Sequence, residues 1–374
     1  MCIEIVPVDG ARDRRRFVDL PFRLFRSDPS WIPPLRLAVL DRIGPKHPAN
    51  EHQETRLWMA LRDGRVVGRI GACIDSMFDE FQNESWSWVG FFECEDDRDA
   101  ASALFETAWE WSAAKGAREA VGPGSFTTND EVGLLVDAFD SPPTILTTWN
   151  PPYYVDLWSG GGWEQVRDLY GWRLDRASGL SDRQKKVLER IRERSGLRVR
   201  EGNIKDFDKE VGRFFEIYRS GWARNWGFAP MTEAEVAHLA KDLKRIIDTR
   251  LVIFVEEEST GEVAGCGLVL PDANHAMRKV RSGRLLPTGW WHLLRGAKNG
   301  PGIRIVALGI REGFQSRAVG PLIYNAIRER GTSMPHLEFC EASWVLDNND
   351  AMNGAIEAMG AERYKTWRMY RRTL

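Results

Sequence analysis

Cysteine is scarce, and its spacing forms no pattern. The five cysteines (Cys2, Cys73, Cys94, Cys266, Cys340) stand singly, with no CxxC pair. That excludes a disulfide framework and points to a reducing compartment, so a cytoplasmic location is expected. No run of about 18 apolar residues occurs, so no membrane-spanning helix is expected. The N-terminus, MCIEIVPVDG, lacks the basic-then-apolar order of a secretory signal. An excess of charge is missing too: the formal net charge is −2 over 374 residues. That balance draws the chain neither to nucleic acid nor to an anionic membrane as a whole, and no nucleic-acid partner is expected. The six histidines show no metal-ligand spacing, and no metal is expected. Tryptophan is what the chain has in plenty. Of the sixteen many must be core, and such usage also marks large apolar pockets.

One stretch organises the rest. In residues 303–330, Ile303, Ile305, Val306, Leu308 and Ile310 form a β-branched apolar run, which predicts a strand covered on both faces. A polar turn follows over 311–318. Val319, Leu322, Ile323, Ala326 and Ile327 then recur on one helical face, with Pro321 in the first turn and Gly331 as the stop. A strand that delivers a turn onto a helix N-terminus aims free backbone N–H groups at one spot, which is an anion site.

The same order of elements occurs twice, at an offset of roughly 200 residues. LWMALRDGRVVGRIGACI answers RLVIFVEEESTGEVAGCGLVL. SWVGFFECEDDRDAASALFETAWEWSAAKG answers RIVALGIREGFQSRAVGPLIYNAIRERG. In the first half we expect a strand at 3–8, a helix over 12–26 interrupted by Pro21, mostly loop over 27–50, and strands at 57–61, 66–74 and 86–93. A helix at 99–115 and strands at 153–157 and 165–174 complete it. In the second half strands are expected at 197–200, 251–256, 263–270, 337–345 and 364–371, and helices at 206–220, 232–248 and 349–359. Thr232 and Glu235 form a capping-box pattern. The charged segment Ser181–Ser195 reads as a helical linker.

The turn Gln315-Ser316-Arg317-Ala318-Val319-Gly320, with Phe314 before it, resembles the pyrophosphate loop of the GNAT superfamily of acyl-CoA-dependent N-acyltransferases, (Arg/Gln)-x-x-(Gly/Ala)-x-(Gly/Ala). The doubled order resembles bacterial tandem-GNAT proteins over nearly the whole chain, with GPGSFTTNDEVGLL, SPPTILTTWNPPYY, LPDANHAM and EASWVLDNND as further points of likeness. The resemblance implies an α/β fold with a mixed sheet and two tandem GNAT domains. These would be an N-terminal GNAT-like domain at 1–176, the charged helical linker at 177–196 and an acyl-CoA-binding domain at 197–374. It implies acetyl-CoA or a longer acyl-CoA as co-substrate, direct transfer of the acyl group to a primary amine, and backbone donors from Phe314 through Gln315, Ser316, Arg317, Ala318 and Val319 to Gly320. Leu308, Gly309 and Ile310 would pair with the pantetheine as an added strand, with a backbone N–H near Gly309–Ile310 polarising the thioester carbonyl. Arg311 and Arg317 would neutralise phosphate. Many members protonate the leaving thiolate with a tyrosine at the position that Ile356 holds here. The general acid is therefore unassigned, with Tyr324 and Tyr364 as substitutes. The corresponding turn of the first half, Glu93–Asp99, has no glycine and a cluster of acids that would repel a pyrophosphate, so that half is not expected to bind CoA.

For a base, Glu341 stands mid-strand among Phe339, Ala342 and Trp344, where desolvation raises a carboxyl pKa. Asp272 and Asn274 are candidates for holding the amine, and Asn129, Asp130 and Trp344 for lining its pocket. The long insertion 271–302 interleaves Leu285, Leu286, Trp290, Trp291, Leu293 and Leu294 with arginines and lysines. That mixture fits a lid over an apolar pocket, or a segment lying on an anionic lipid surface. The acceptor is expected to be a small-molecule or lipid amine, a sphingoid base among them since some tandem-GNAT relatives are linked to such amines. Peripheral contact with the inner membrane face is left open. The alternative is a catalytically silent binding protein of the same fold. A transferase using aminoacyl-tRNA is weaker, for want of basic runs.

Overall fold

Asp63 and Gly64 both take left-handed backbone angles, and the alternating residues on either side fold back as a tight hairpin. The computed structural model describes residues 3–178 and 181–374. The first half runs β1 (Ile3–Pro7), α1 (Gly10–Leu24), α2 (Arg36–Arg42), β2 (Gln53–Arg62), β3 (Arg65–Asp75), α3 (Ser76–Gln82), β4 (Trp86–Cys94), α4 (Arg98–Ala114), β5 (Glu119–Gly122), β6 (Leu134–Leu135), α5 (Tyr154–Gly160) and β7 (Glu164–Asp175). The linker is α6 (Asp182–Arg194), opened by a capping box between Ser181 and Gln184. The second half repeats the plan: β8 (Leu197–Glu201), α7 (Phe207–Trp222), α8 (Glu233–Leu243), β9 (Val252–Glu257), β10 (Val263–Pro271), α9 (Asn274–Met277), α10 (Gly289–Gly296), β11 (Gly302–Ile310), α11 (Val319–Ser333), β12 (Phe339–Leu346), α12 (Asp350–Ala358) and β13 (Glu362–Thr373). The capping box of α8 forms as expected.

All the strands join one mixed sheet, in the order β1-β2-β3-β4-β5-β13-β7-β12-β11-β10-β9-β8, with β6 beside β13. The closing strands are exchanged. β13, the last strand of the chain, pairs with β5 of the first half, while β7 pairs with β12 of the second. The two meet antiparallel at the centre, Glu362 opposite Arg173 through Arg371 opposite Glu164. The cores follow the exchange. Tyr370 of β13 joins Phe92, Phe105, Trp158 and Trp163 of the first half, and Trp172 of β7 joins Val319, Ile323 and Ile356 of the second. Residues 1–176 and 197–374 are thus not separate sheets, because each lends its final strand to the other.

Two expectations are corrected. Residues 154–157 are helical, in α5, because Tyr154, Leu157 and Trp158 are buried at helical spacing. Pro21 does not interrupt α1: it sits one turn from the helix end, and its carbonyl still accepts from the Phe25 amide at 2.9 Å. The segment 27–50 is mostly loop and turn as expected, with α2 and the start of a 3₁₀ turn, Pro48–Glu51, within it. No helix among the described residues is long and apolar enough to cross a membrane.

Candidate active site

Each half has a place where two parallel strands part. β4 pairs with β5 only from Trp86 to Trp88, and β11 with β12 only from Gly302 to Ile305. Beyond those residues β4 and β11 each keep an edge that β5 and β12 do not cover. The two splits differ in what enters them. In the first half the chain's own loop does. The Gly124 amide donates to the Val89 carbonyl at 2.9 Å, and the Ser125 hydroxyl accepts from the Phe91 amide at 3.1 Å. Gly90 is required there, since a Cβ on it would collide with the Gly124 carbonyl. In the second half, Arg311 donates its amide to Ala264 on β10. Antiparallel alternation then turns the N–H and C=O groups of Leu308 and Ile310 toward the split. α7 lies against this edge: the Trp222 indole donates to the Leu308 carbonyl at 3.0 Å, and Gly221 packs beside the Ile310 backbone.

The helices that follow differ in the same sense. The N-terminus of α4 is capped by Asp97, whose carboxylate accepts from the Ala100 amide at 3.1 Å and pairs with Arg62. The Cys94 amide is taken by the Tyr154 hydroxyl. The α11 N-terminus has Ala318 as its cap, in a left-handed conformation and with no side chain to offer. Among the described residues nothing accepts from the amides of Ser316, Ala318, Val319 and Gly320. They remain as donors for an anion.

A cavity of about 2190 Å³ runs from this helix end to the far wall of the first half. An ordinary ligand pocket holds about 300–1,000 Å³. The expected Leu308, Gly309, Ile310, Gln315 and Gly320 line it at one end, and Asn129, Asp130 and Trp344 line it further in. Arg311 and Arg317 do not: Arg311 is paired with Glu216 and Glu262, and Arg317 with Glu257. Arg183 and Arg328 stand on the cavity wall instead. Asn129 and Asp130 are already engaged, the first by the Tyr218 hydroxyl and the Ala229 carbonyl, the second by two nitrogens of Arg42. Trp290 lies at the mouth, whereas Trp291 is not part of the wall and stacks under Arg295 at 3.8 Å.

Glu131, which the sequence reading passed over, is the free acid of this cavity. Its side chain is exposed to the cavity space and has no hydrogen bond or ion pair among the described residues. The enclosing walls push its carboxyl up to about 7; Asp130 and Glu93 add to the shift and Arg304 opposes it. A carboxylate with that pKa, unpaired in a cavity, fits a general base. The signal in the sequence was an acid directly before the apolar run Val132–Leu135 with no basic residue beside it.

The three acids and amides expected to be catalytic are brought together, but around a loop of the first half. Glu341 is fully buried and absent from the cavity wall. One of its oxygens accepts from Thr144 at 2.8 Å and Ser343 at 2.5 Å, and the other from Tyr364. Asp272 accepts from the Ile145 amide, and Asn274 donates to the Pro143 carbonyl. Arg304 donates to the Ile145 and Leu146 carbonyls and to Ser343, and Lys365 donates to the Pro142 carbonyl. Burial pulls Arg304 down to about 10 and Lys365 to about 8, and pushes Asp272 up to about 6. Two cations and two anions thus balance out of water. Glu341→Ala leaves that cluster with an uncompensated charge and is expected to cost about 3–5 kcal/mol of stability. Glu341→Gln, which still accepts from Thr144 and Ser343, should cost less. Denaturant unfolding of the two variants checks this.

Ile356 is core, at 2 % exposure, so the tyrosine position of the resemblance faces no substrate. Tyr364 is committed to Glu341. Tyr324 reaches the cavity wall, with its hydroxyl pushed up to about 12 by burial. The only grouping of possible metal ligands among the described residues is Asp41, His47 and His238. His47 Nδ1 accepts from the Ala49 amide, so its one neutral-state proton sits on Nε2 and leaves no lone pair for an ion.

No family model matches the chain. It is 36% identical to a protein described as bacterial ceramide synthase from Caulobacter vibrioides (strain NA1000 / CB15N), over 100% of this chain and 98% of that one. It is 32% identical to Protein YghO of Escherichia coli (strain K12), over 97% of this chain and 93% of the relative. Among solved structures, a tandem GNAT protein from the clavulanic acid biosynthesis pathway superposes with a TM-score of 0.59 at 14% identity, covering 100% of this chain and 98% of that one.

Proposed function

Because the chain belongs to the family of bacterial ceramide synthase and YghO, and is an N-acyltransferase of the GNAT fold, we propose that it moves a long acyl group from acyl-CoA onto the amine of a sphingoid-type lipid. The observation that carries this reading is the cavity. It joins the uncapped end of α11 to the first half in one space, more than twice the size of an ordinary pocket.

In this reading acyl-CoA binds the second half only. Its pyrophosphate takes the free amides of Ser316, Ala318, Val319 and Gly320, and its pantetheine runs along β11 where Ile310 lines the cavity, the Leu308 carbonyl being held by Trp222. The Ile310 N–H then polarises the thioester carbonyl. The amine comes from the side of the first half, past Glu131. An ammonium sheds one proton before it attacks, and the nitrogen loses another as the adduct collapses to the amide. Glu131 accepts such a proton while the C–S bond breaks. The CoA sulfur leaves as a thiolate, with a thiol pKa of about 8.5, so no strong acid is needed at the sulfur. Residues Thr144–Leu146, held by the buried Glu341 cluster, keep the two walls in register.

Purified protein is supplied either with palmitoyl-CoA and a sphingoid base or with acetyl-CoA and a small polar amine. CoA release and the amide mass are followed. Each buried methylene contributes about 0.8 kcal/mol, so a dozen offer on the order of 10 kcal/mol before binding costs. The long pair is therefore expected to react with a kcat/KM greater by orders of magnitude. Equal use of the two pairs would reject the lipid acceptor.

A further inference from the structure

Five of the eight large apolar side chains exposed among the described residues lie at one edge of the cavity mouth: Leu37 at 63%, Leu286 at 75%, Trp290 at 47%, Trp291 at 41% and Leu294 at 74%. They come from α2 and from the turn and helix that end in α10. The Arg36 amide and guanidinium donate to the carbonyls of Gly283 and Ser282, which fixes α2 beside that turn. The Trp290 amide and indole donate to Leu285 and Pro287, which fixes the start of α10. Leu37, Trp290 and Leu294 also line the cavity, so the outer patch and the inner wall are one surface.

The insertion that supplies most of this patch carries charge of a single sign, whereas α2 brings Arg36 and Arg42 together with Asp41. From Ala273 to Pro301 the sequence carries six cations and no acid. Arg281 and Lys298 are spent on backbone carbonyls. Arg278, Lys279, Arg284 and Arg295 are exposed, Arg295 over the Trp291 ring. Apolar side chains with two indoles, bordered along the insertion by cations, match the boundary between acyl chains and anionic headgroups. A lipid amine has little presence in water, and a mouth seated on a bilayer would receive it without crossing water.

We propose that this face docks on an anionic bilayer and that the acceptor passes from the leaflet straight into the cavity. The second clause rests on the lipid-amine reading above; the first does not. The test uses Leu286→Glu combined with Trp291→Glu, two residues outside the cavity wall. The full-length protein is sedimented with phosphatidylglycerol–phosphatidylcholine vesicles and with phosphatidylcholine alone, at low and high salt. Wild type should bind the anionic vesicles, more weakly with salt, and the double variant should lose roughly ten-fold or more of that partitioning. The variant should acylate a detergent-dispersed amine as wild type does, and a vesicle-embedded amine several-fold more slowly. Wild type that fails to sediment with anionic vesicles, or a variant that sediments equally, overturns the docking. So does a wild-type dimer that the variant converts to monomer, since the patch would then be covered by a second copy. Vesicle binding without N-acylation of any lipid amine would leave the docking standing and remove the acceptor.

Discussion

Gly320→Glu should abolish acyl-CoA binding and leave the fold intact. A Cβ at Gly320 meets only the Ile310 Cδ1, at 3.6 Å, which is ordinary contact. The protein side of this position therefore has room, and the crowding falls on whatever anion takes the free amides of α11. A carboxylate there also opposes a pyrophosphate at short range. The affinity loss should be at least about a hundred-fold, or ~2.8 kcal/mol. Calorimetric titration with a long-chain acyl-CoA reads the loss, and a thermal melt reads the unchanged fold. Asp96→Lys is the control in the first half. Asp96 is exposed, whereas Asp97 holds the end of α4 and a reversal there would disturb folding. Normal binding by Gly320→Glu, or lost binding by Asp96→Lys, would move the CoA site to the first half.

What the sequence could reveal was local. The loop from Gln315 to Gly320 lies within one strand–turn–helix, so its residues specify it without help from the rest of the chain. The duplicated order was legible for the same reason. α5 was not, because Pro151, Pro152 and two tyrosines suggest extended chain, and only packing against Phe92 and Tyr370 makes Tyr154, Leu157 and Trp158 a helical face. The strand exchange was not legible either. β7 and β13 carry similar alternation, so either sheet would accept either strand. The choice is made by contacts far apart in sequence, such as Trp172 with Asn353.

The acids show the same division. Glu341, Asp272 and Asn274 were recognisable as polar groups at buried positions. Their partners are residues 143–145, well over a hundred positions away, and those partners turn them into anchors. Asp130 and Glu131 are neighbours in the chain and meet opposite fates. Arg42 from α2 claims Asp130, and no side chain among the described residues claims the Glu131 carboxylate. No reading of the loop alone could separate them.

Glu131→Gln should therefore lower turnover by roughly 10²–10⁴ while acyl-CoA binding persists. The amide keeps the volume and polarity of the side chain and cannot take a proton. In wild type the base is the carboxylate, which is present above its pKa and absent below it. With that pKa raised to about 7, kcat/KM should climb as pH rises through 7 and then level. The variant should lose this inflection. Asp130→Asn provides a second reading of the same group: removing a neighbouring negative charge makes Glu131 easier to ionise, so the inflection should move to lower pH. A role in shape alone would give neither the flattened profile nor the shift. The measurements are pH–rate profiles of the three proteins with saturating acyl-CoA. A Glu131→Gln enzyme with the wild-type rate and the wild-type profile would show that the proton leaves by another route.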